Sequence, residues 1–204
     1  MEITKSKGFI IKRSIFFTVL LVVVLFTAAQ ARAAFLVFDQ MNYSVQQGQE
    51  LNMDVYVGGL MPNQDLAGFD ITIAQDQPLL LSFQGYQLGP ELGDIAAGEA
   101  EDWSLGDLGN GEIQIAEISL LSDLSSQPDH FSLATLTFNA DAVGTTMLDF
   151  SNSDWTDADG NSIPLCGTIP AAIQVEVAPV PAPGAMLLLA AGLAGIAAIR
   201  KIGS

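Results

Sequence analysis

The sequence predicts an all-β domain, a sandwich of short antiparallel strands, and three observations carry that reading. Apolar residues recur with a period of two, residue types that favour turns separate these runs, and no stretch of the middle carries a helical apolar stripe.

Taken in order, Leu51, Met53, Val55 and Val57 alternate with Asn52, Asp54 and Tyr56, so one side of the strand enters a core and the other meets water. Ala67, Phe69, Ile71 and Ile73 alternate in the same way with Gly68, Asp70 and Thr72. Ala134, Leu136 and Phe138 alternate with Leu133, Thr135 and Thr137, Leu148 and Phe150 flank Asp149, and Ile173, Val175 and Val177 close the series. The turns fall at Gln47-Gly48, Gly58-Gly59, Asn110-Gly111, Val143-Gly144 and Asp159-Gly160-Asn161. Residues 85–111, rich in Gly, Asp and Glu, read as a long connection with at most one short strand, and a connection of that length is often functional.

The two ends read differently. The seven basic residues are Lys5, Lys7, Lys12, Arg13, Arg32, Arg200 and Lys201, so nothing from residue 33 to 199 is Lys or Arg. At the start, a charged segment ends at Lys12-Arg13, an apolar run follows, and Ala31-Arg32-Ala33 offers the small-x-small pattern of a peptidase site. That order predicts a signal peptide over residues 1–33, cut after Ala33. At the end, Val180, Pro181, Ala182 and Pro183 precede an apolar segment of about 185–199 and the basic stop Arg200-Lys201. As a helix those residues would reach roughly 22 Å, short against a hydrocarbon core of about 30 Å. A marginal transmembrane helix suits a temporary hold in the inner membrane.

This C-terminal pattern resembles the PEP-CTERM sorting signal in its Val-Pro-x-Pro form, with Ala182 where the family name has Glu. The resemblance covers residues 180–201. It implies processing by an exosortase-like membrane protease and release to the cell surface or extracellular matrix of a Gram-negative bacterium. The sequence thus divides into 1–33, a domain at 34–178, and a sorting segment at 179–204.

The domain carries every acidic residue but Glu2. Nucleic-acid binding needs Lys and Arg and is excluded as its work, and phosphate-cradling chemistry is disfavoured on the same ground. One cysteine, Cys166, and one histidine, His130, leave no Cys/His metal spacing.

A second resemblance spans the domain. Gly48-Gln49-Glu50-Leu51 opening a strand, Leu66-Ala67-Gly68-Phe69-Asp70, the run Phe131-Ser132-Leu133-Ala134-Thr135-Leu136-Thr137-Phe138 followed by Gly144-Thr145, and the closing Asp159-Gly160-Asn161 turn are similar to cohesin-type domains. So are Leu88-Gly89, Leu92-Gly93-Asp94 and Ser119-Leu120-Leu121-Ser122. The resemblance implies a jelly-roll sandwich of about nine strands, related to carbohydrate-binding modules, whose best-known members bind dockerin modules.

Chemistry is sparsely signalled. His130, at the start of a strand, has no Gly-x-Ser-x-Gly elbow to serve, so no catalytic residue is assigned. A glycoside hydrolase needs two carboxylates roughly 5 to 9.5 Å apart, and Glu99, Glu101 and Asp102 beside Trp103 are the acids to inspect. Asp154 to Asn161 fails as an EF-hand loop, because Gly160 at the sixth position puts Trp155 at the first and Cys166 at the twelfth. A simpler Ca²⁺ site would use Asp157 and Asp159. Trp103, Trp155, Tyr56 and Tyr86 are the aromatic candidates for stacking against a sugar ring or a partner.

The reading is an exported, non-enzymatic binding module, sorted to the surface or matrix, that holds a polysaccharide or a dockerin-like protein. The alternative is an acidic matrix component that binds cations without a specific ligand. A cryptic glycoside hydrolase stands third.

Overall fold

The computed structural model describes residues 34–61 and 64–178. The signal peptide, its Ala31 and Ala33 site, the sorting motif from Val180 to Pro183, the helix at about 185–199 and Arg200-Lys201 lie outside the described residues. Within them no helix is long and apolar enough to cross a membrane.

The chain forms β1 (Ala34–Phe38), β2 (Asn42–Gln46), β3 (Glu50–Gly58), β4 (Gly68–Gln75), β5 (Leu81–Leu88), a 3₁₀ turn (Ile95–Ala97), β6 (Ala100–Asp102), β7 (Gly106–Gly109), β8 (Glu112–Ser119), β9 (His130–Ala140), β10 (Gly144–Thr156), β11 (Leu165–Ile169) and β12 (Ala171–Glu176). A five-stranded sheet runs β11-β1-β3-β9-β5, and a seven-stranded sheet runs β2-β12-β10-β4-β8-β6, with β7 also pairing β8. The architecture is a jelly-roll β-sandwich. Among the described residues twelve strands form where about nine were implied, and the surplus lies in short pieces such as β6 and β7.

The alternating runs bury the predicted faces. Met53, Val55 and Val57 of β3, Phe69, Ile71 and Ile73 of β4, Leu136 and Phe138 of β9 and Ile173 and Val175 of β12 all enter one core. Such burial contributes about 25 cal/mol per Å² of apolar surface removed from water. Phe38 stacks on Phe150 with centroids 4.6 Å apart, and Phe83 meets Phe138 edge-on at 5.7 Å. Ala67 precedes its strand and lies outside the core cluster, and Val177 lies beyond β12 and is exposed.

The connection expected at 85–111 is more ordered than its composition implies. It holds the end of β5, the 3₁₀ turn, β6 and β7. Both short strands lie along β8: β6 pairs its far half at Glu117 to Ser119, and β7 pairs its near half at Glu112 to Gln114. Asn110 (φ 56°) and Gly111 (φ 81°) give the two positive angles that a tight β7–β8 hairpin requires.

Candidate functional site

Ladder register fixes which side chains face outward from the seven-stranded sheet. Directly paired residues share a face. On the inner face Trp155 pairs Phe69, Phe69 pairs Glu117, and Glu117 pairs Asp102, forming one row across β10, β4, β8 and β6. On the outer face Thr156, Gly68 and Ile118 form one row, and Asp154, Asp70 and Ala116 form the next.

Trp103 follows β6 and closes these outer rows. Its backbone N–H donates to Ala116 O at 2.9 Å. Ser104 Oγ accepts from Ala116 N at 3.0 Å, and Leu105 N donates to Gln114 Oε1 at 2.6 Å. Gln114 in turn donates to Asp70 Oδ1 at 2.8 Å. The result is a hollow of about 220 Å³ on the outer face, lined by Trp103, Ile118, Ala116, Asp70, Asp154 and Thr156 among others. Trp103 is 60% exposed, and its indole N–H donates to Glu101 at 3.0 Å, which orients the ring beside the hollow.

Exposed apolar residues concentrate in the chain segment that supplies Trp103 and Ile118 to the wall of this hollow. Among the described residues, seven of the fourteen exposed large hydrophobic side chains lie between Ile95 and Leu121: Ile95, Trp103, Leu105, Leu108, Ile118, Leu120 and Leu121. Exposed apolar side chains that share one hollow, as Trp103 and Ile118 do, mark an interaction surface more often than scattered single residues do.

The four aromatic candidates do not assemble into one platform. Trp155 is 1% exposed and belongs to the core. It cannot stack on a ligand at the surface, and that expectation is corrected. A bulge between Phe150 and Asn152 shifts the parity of β10, so Phe150 and Trp155, five residues apart, both point inward. Tyr56 lies in a separate hollow with Val37, Asp39 and Met41, stacked parallel on His130 with centroids 4.9 Å apart. Tyr86 is half-buried on β5, and its hydroxyl donates to Asp102 at 2.8 Å. Burial first, and then Asp102, hold the Tyr86 phenol above its ordinary range against a lowering contact with Ser104.

The acids named for hydrolysis serve local structure. Glu101 holds Trp103 on the outer face, whereas Asp102 pairs the inward Glu117. Glu99 accepts from the backbone N–H of Asp94. Asp157 and Asp159, the residues of the calcium expectation, lie together in the turn after β10. Asp157 Oδ1 accepts from the backbone N–H groups of Asp159 (3.0 Å) and Asn161 (2.7 Å), and Asn161 Nδ2 reaches its other oxygen at 3.1 Å. These bonds, with Asn161 first, hold its carboxyl below the usual range and cap a turn. Among the described residues no three His, Cys, Asp or Glu side chains gather to hold a metal ion.

Sequence reasoning missed Glu117. It is 1% exposed, and neither carboxyl oxygen has a hydrogen-bond partner. Burial first, and then the charge of Asp102, push its carboxyl up to about 7. The signal was available, because Glu117 continues the inward series Ile113, Ile115.

The fold and this exposed groove define a cohesin-like sandwich with a solvent-facing hollow on one sheet. Solved structures agree. The sixth cohesin of Acetivibrio cellulolyticus scaffoldin B, crystallised with a Cel5 dockerin, is 14% identical with a TM-score of 0.57, covering 71% of this chain and 99% of that one. A cohesin from a type I cohesin–dockerin complex of Clostridium thermocellum is 12% identical with a TM-score of 0.57, covering 72% and 95%. A non-cellulosomal cohesin from the archaeon Archaeoglobus fulgidus is 12% identical with a TM-score of 0.54, covering 71% and 91%. At these identities the likeness establishes the fold. Residues 179–201 match the PEP-CTERM protein-sorting motif, which implies export and membrane passage in Gram-negative bacteria. Among curated proteins none matches the chain.

Proposed function

We propose that the chain is an exported, surface- or matrix-sorted binding module, processed by an exosortase-like protease, that holds a protein partner on the outer face of its seven-stranded sheet. The observation that carries this reading is the pair of exposed apolar side chains Trp103 and Ile118 on the wall of the hollow, framed by Asp70, Asp154 and Glu101. An apolar centre with an acidic rim fits a partner surface that is apolar in the middle and basic at its edge. The solved cohesins that carry dockerins support a protein over a polysaccharide as the occupant.

Calorimetric titration of the purified protein with a panel of dockerin modules, and separately with soluble polysaccharides, tests the reading. Saturable dockerin binding, lost in Trp103→Ala and in Ile118→Asp, supports it. Saturable binding of a polysaccharide alone overturns it.

A further inference from the structure

The strand next to the edge of the seven-stranded sheet holds a carboxyl where a core residue belongs. Glu117 points inward from β8 beside Phe69 of β4, with the indole of Trp155 next in the same row. Neither neighbour carries charge. Neither Glu117 oxygen has a hydrogen-bond partner, and no Lys or Arg exists from residue 33 to 199 to pair with it. A buried carboxylate without a partner is strongly disfavoured, so the folded state favours the protonated acid.

The charged group that faces Glu117 is Asp102, its direct cross-strand partner on β6. Like charges placed directly opposite on a ladder destabilise it. Asp102 also ties the edge together. Tyr86 of β5, in the other sheet, donates to its Oδ2 at 2.8 Å, and Ser104 N donates to its Oδ1 at 2.9 Å. β6 is three residues long and leads straight into Trp103.

We propose that Glu117 is a proton-operated latch on this edge. Protonated, it lets β6 close on β8 with Asp102 bound to Tyr86; ionised, it repels Asp102, loosens β6 and displaces Trp103 from the groove wall. The raised carboxyl places the change near neutral pH. Regulation of partner binding by the latch rests on the groove being the partner site, but the latch itself belongs to the free protein.

Hydrogen exchange of the purified protein, corrected for intrinsic amide chemistry and followed from about pH 5 to about pH 9, reads the latch directly. The expected result is a loss of protection of about tenfold over residues 99–105 across neutrality, with β3 and β9 unchanged. Glu117→Gln, and independently the apolar Glu117→Met, keep the edge protected at the upper end of that range. Asp102→Asn moves the midpoint to lower pH by removing the opposing charge. Protection over 99–105 that ignores pH, or a pH dependence that survives in both Glu117 variants, overturns the proposal. These readouts need no ligand, so failure of the groove as a partner site leaves the latch standing, and a pH-silent edge leaves the groove untouched.

Discussion

Trp155 and Trp103 stand on opposite faces of the same sheet: Trp155 lies in the inward row that runs through Phe69 and Glu117 to Asp102, and Trp103 follows Asp102 and turns outward over Ala116. One is core and the other is surface, so their truncations separate folding from binding. Trp155→Ala is expected to cost about 3 to 5 kcal/mol of stability. Trp103→Ala is expected to stay within about 0.5 kcal/mol of wild type while partner affinity collapses. Denaturant melts and calorimetry on the two variants check the pair. Equal loss of stability in both would remove the division.

The connection that carries Trp103 depends on Gly93. Its φ of 128° lies where L residues are strained, and an added Cβ would come within 2.7 Å of Glu99 O and 2.8 Å of Glu99 Cβ. Gly93→Ala is expected to cost about 1 to 3 kcal/mol. The loss should appear first as exchange in β6 and the 3₁₀ turn. Wild-type stability in this variant would show that the connection tolerates a different path.

The sandwich was legible where alternation is long and unbroken, as in β3, β4, β9 and β12. It was obscured where the period breaks. The β10 bulge reverses the parity that Leu148 and Phe150 announce, which would otherwise put Trp155 outside. In β8 Ala116 is buried on the outward side as well, because Trp103 to Leu105 lie over it, so Ile113 to Glu117 show no alternation of burial. The groove needed Trp103 and Ile118 brought together by the β6–β8 ladder, a long-range pairing that composition does not encode. The sorting motif, read from consecutive residues, needed no fold to be seen.

Sorting gives a direct measurement. β12 ends at Glu176, and the matched motif starts at residue 179, so the folded domain stops close to Val180-Pro181-Ala182-Pro183. Mass spectrometry of protein collected from the cell surface is expected to find a C-terminus between residues 180 and 185. Intact Ser204 in that material would show that the segment is retained as an anchor.

Stability should peak in mild acid. Glu117 moves from an ordinary 4.5 to about 7 on folding. Between those values the folded chain keeps a proton that the unfolded chain has lost, so stability falls as pH rises through the window and levels above it. Asp76 acts in the other direction. The Met147 N–H first, and then the Thr146 hydroxyl, hold its carboxyl below 3.8, so its contribution is present above that value and fades as pH drops further. Melting temperature followed against pH should therefore decline from weak acid to neutrality. Glu117→Gln should flatten the decline and recover as much as about 3 kcal/mol at alkaline pH. An unchanged slope in the variant would assign the decline to the general acidic field.

That field makes its own prediction. With no Lys or Arg from residue 33 to 199, the carboxylates of the sandwich repel one another without internal compensation. Asp39, Asp54 and Asp141 are each satisfied by local donors, Tyr43, Thr135 and Asn139 respectively, which bind the acids but do not cancel their charge. Mobile ions must do so instead, and screening shortens the reach of each charge to about 8 Å at physiological ionic strength. The melting temperature is expected to climb as NaCl is added and then to level off. Ca²⁺ at matched ionic strength is expected to add no more than screening, because Asp157 is engaged in its own turn and no three acids converge among the described residues. A saturable calcium increment, retained when Asp157 and Asp159 are replaced by Asn, would point to carboxylates that meet only when an ion draws them together. A melting temperature indifferent to both salts would mean that repulsion is already dissipated in solvent, and that the absence of basic residues serves partner choice rather than stability.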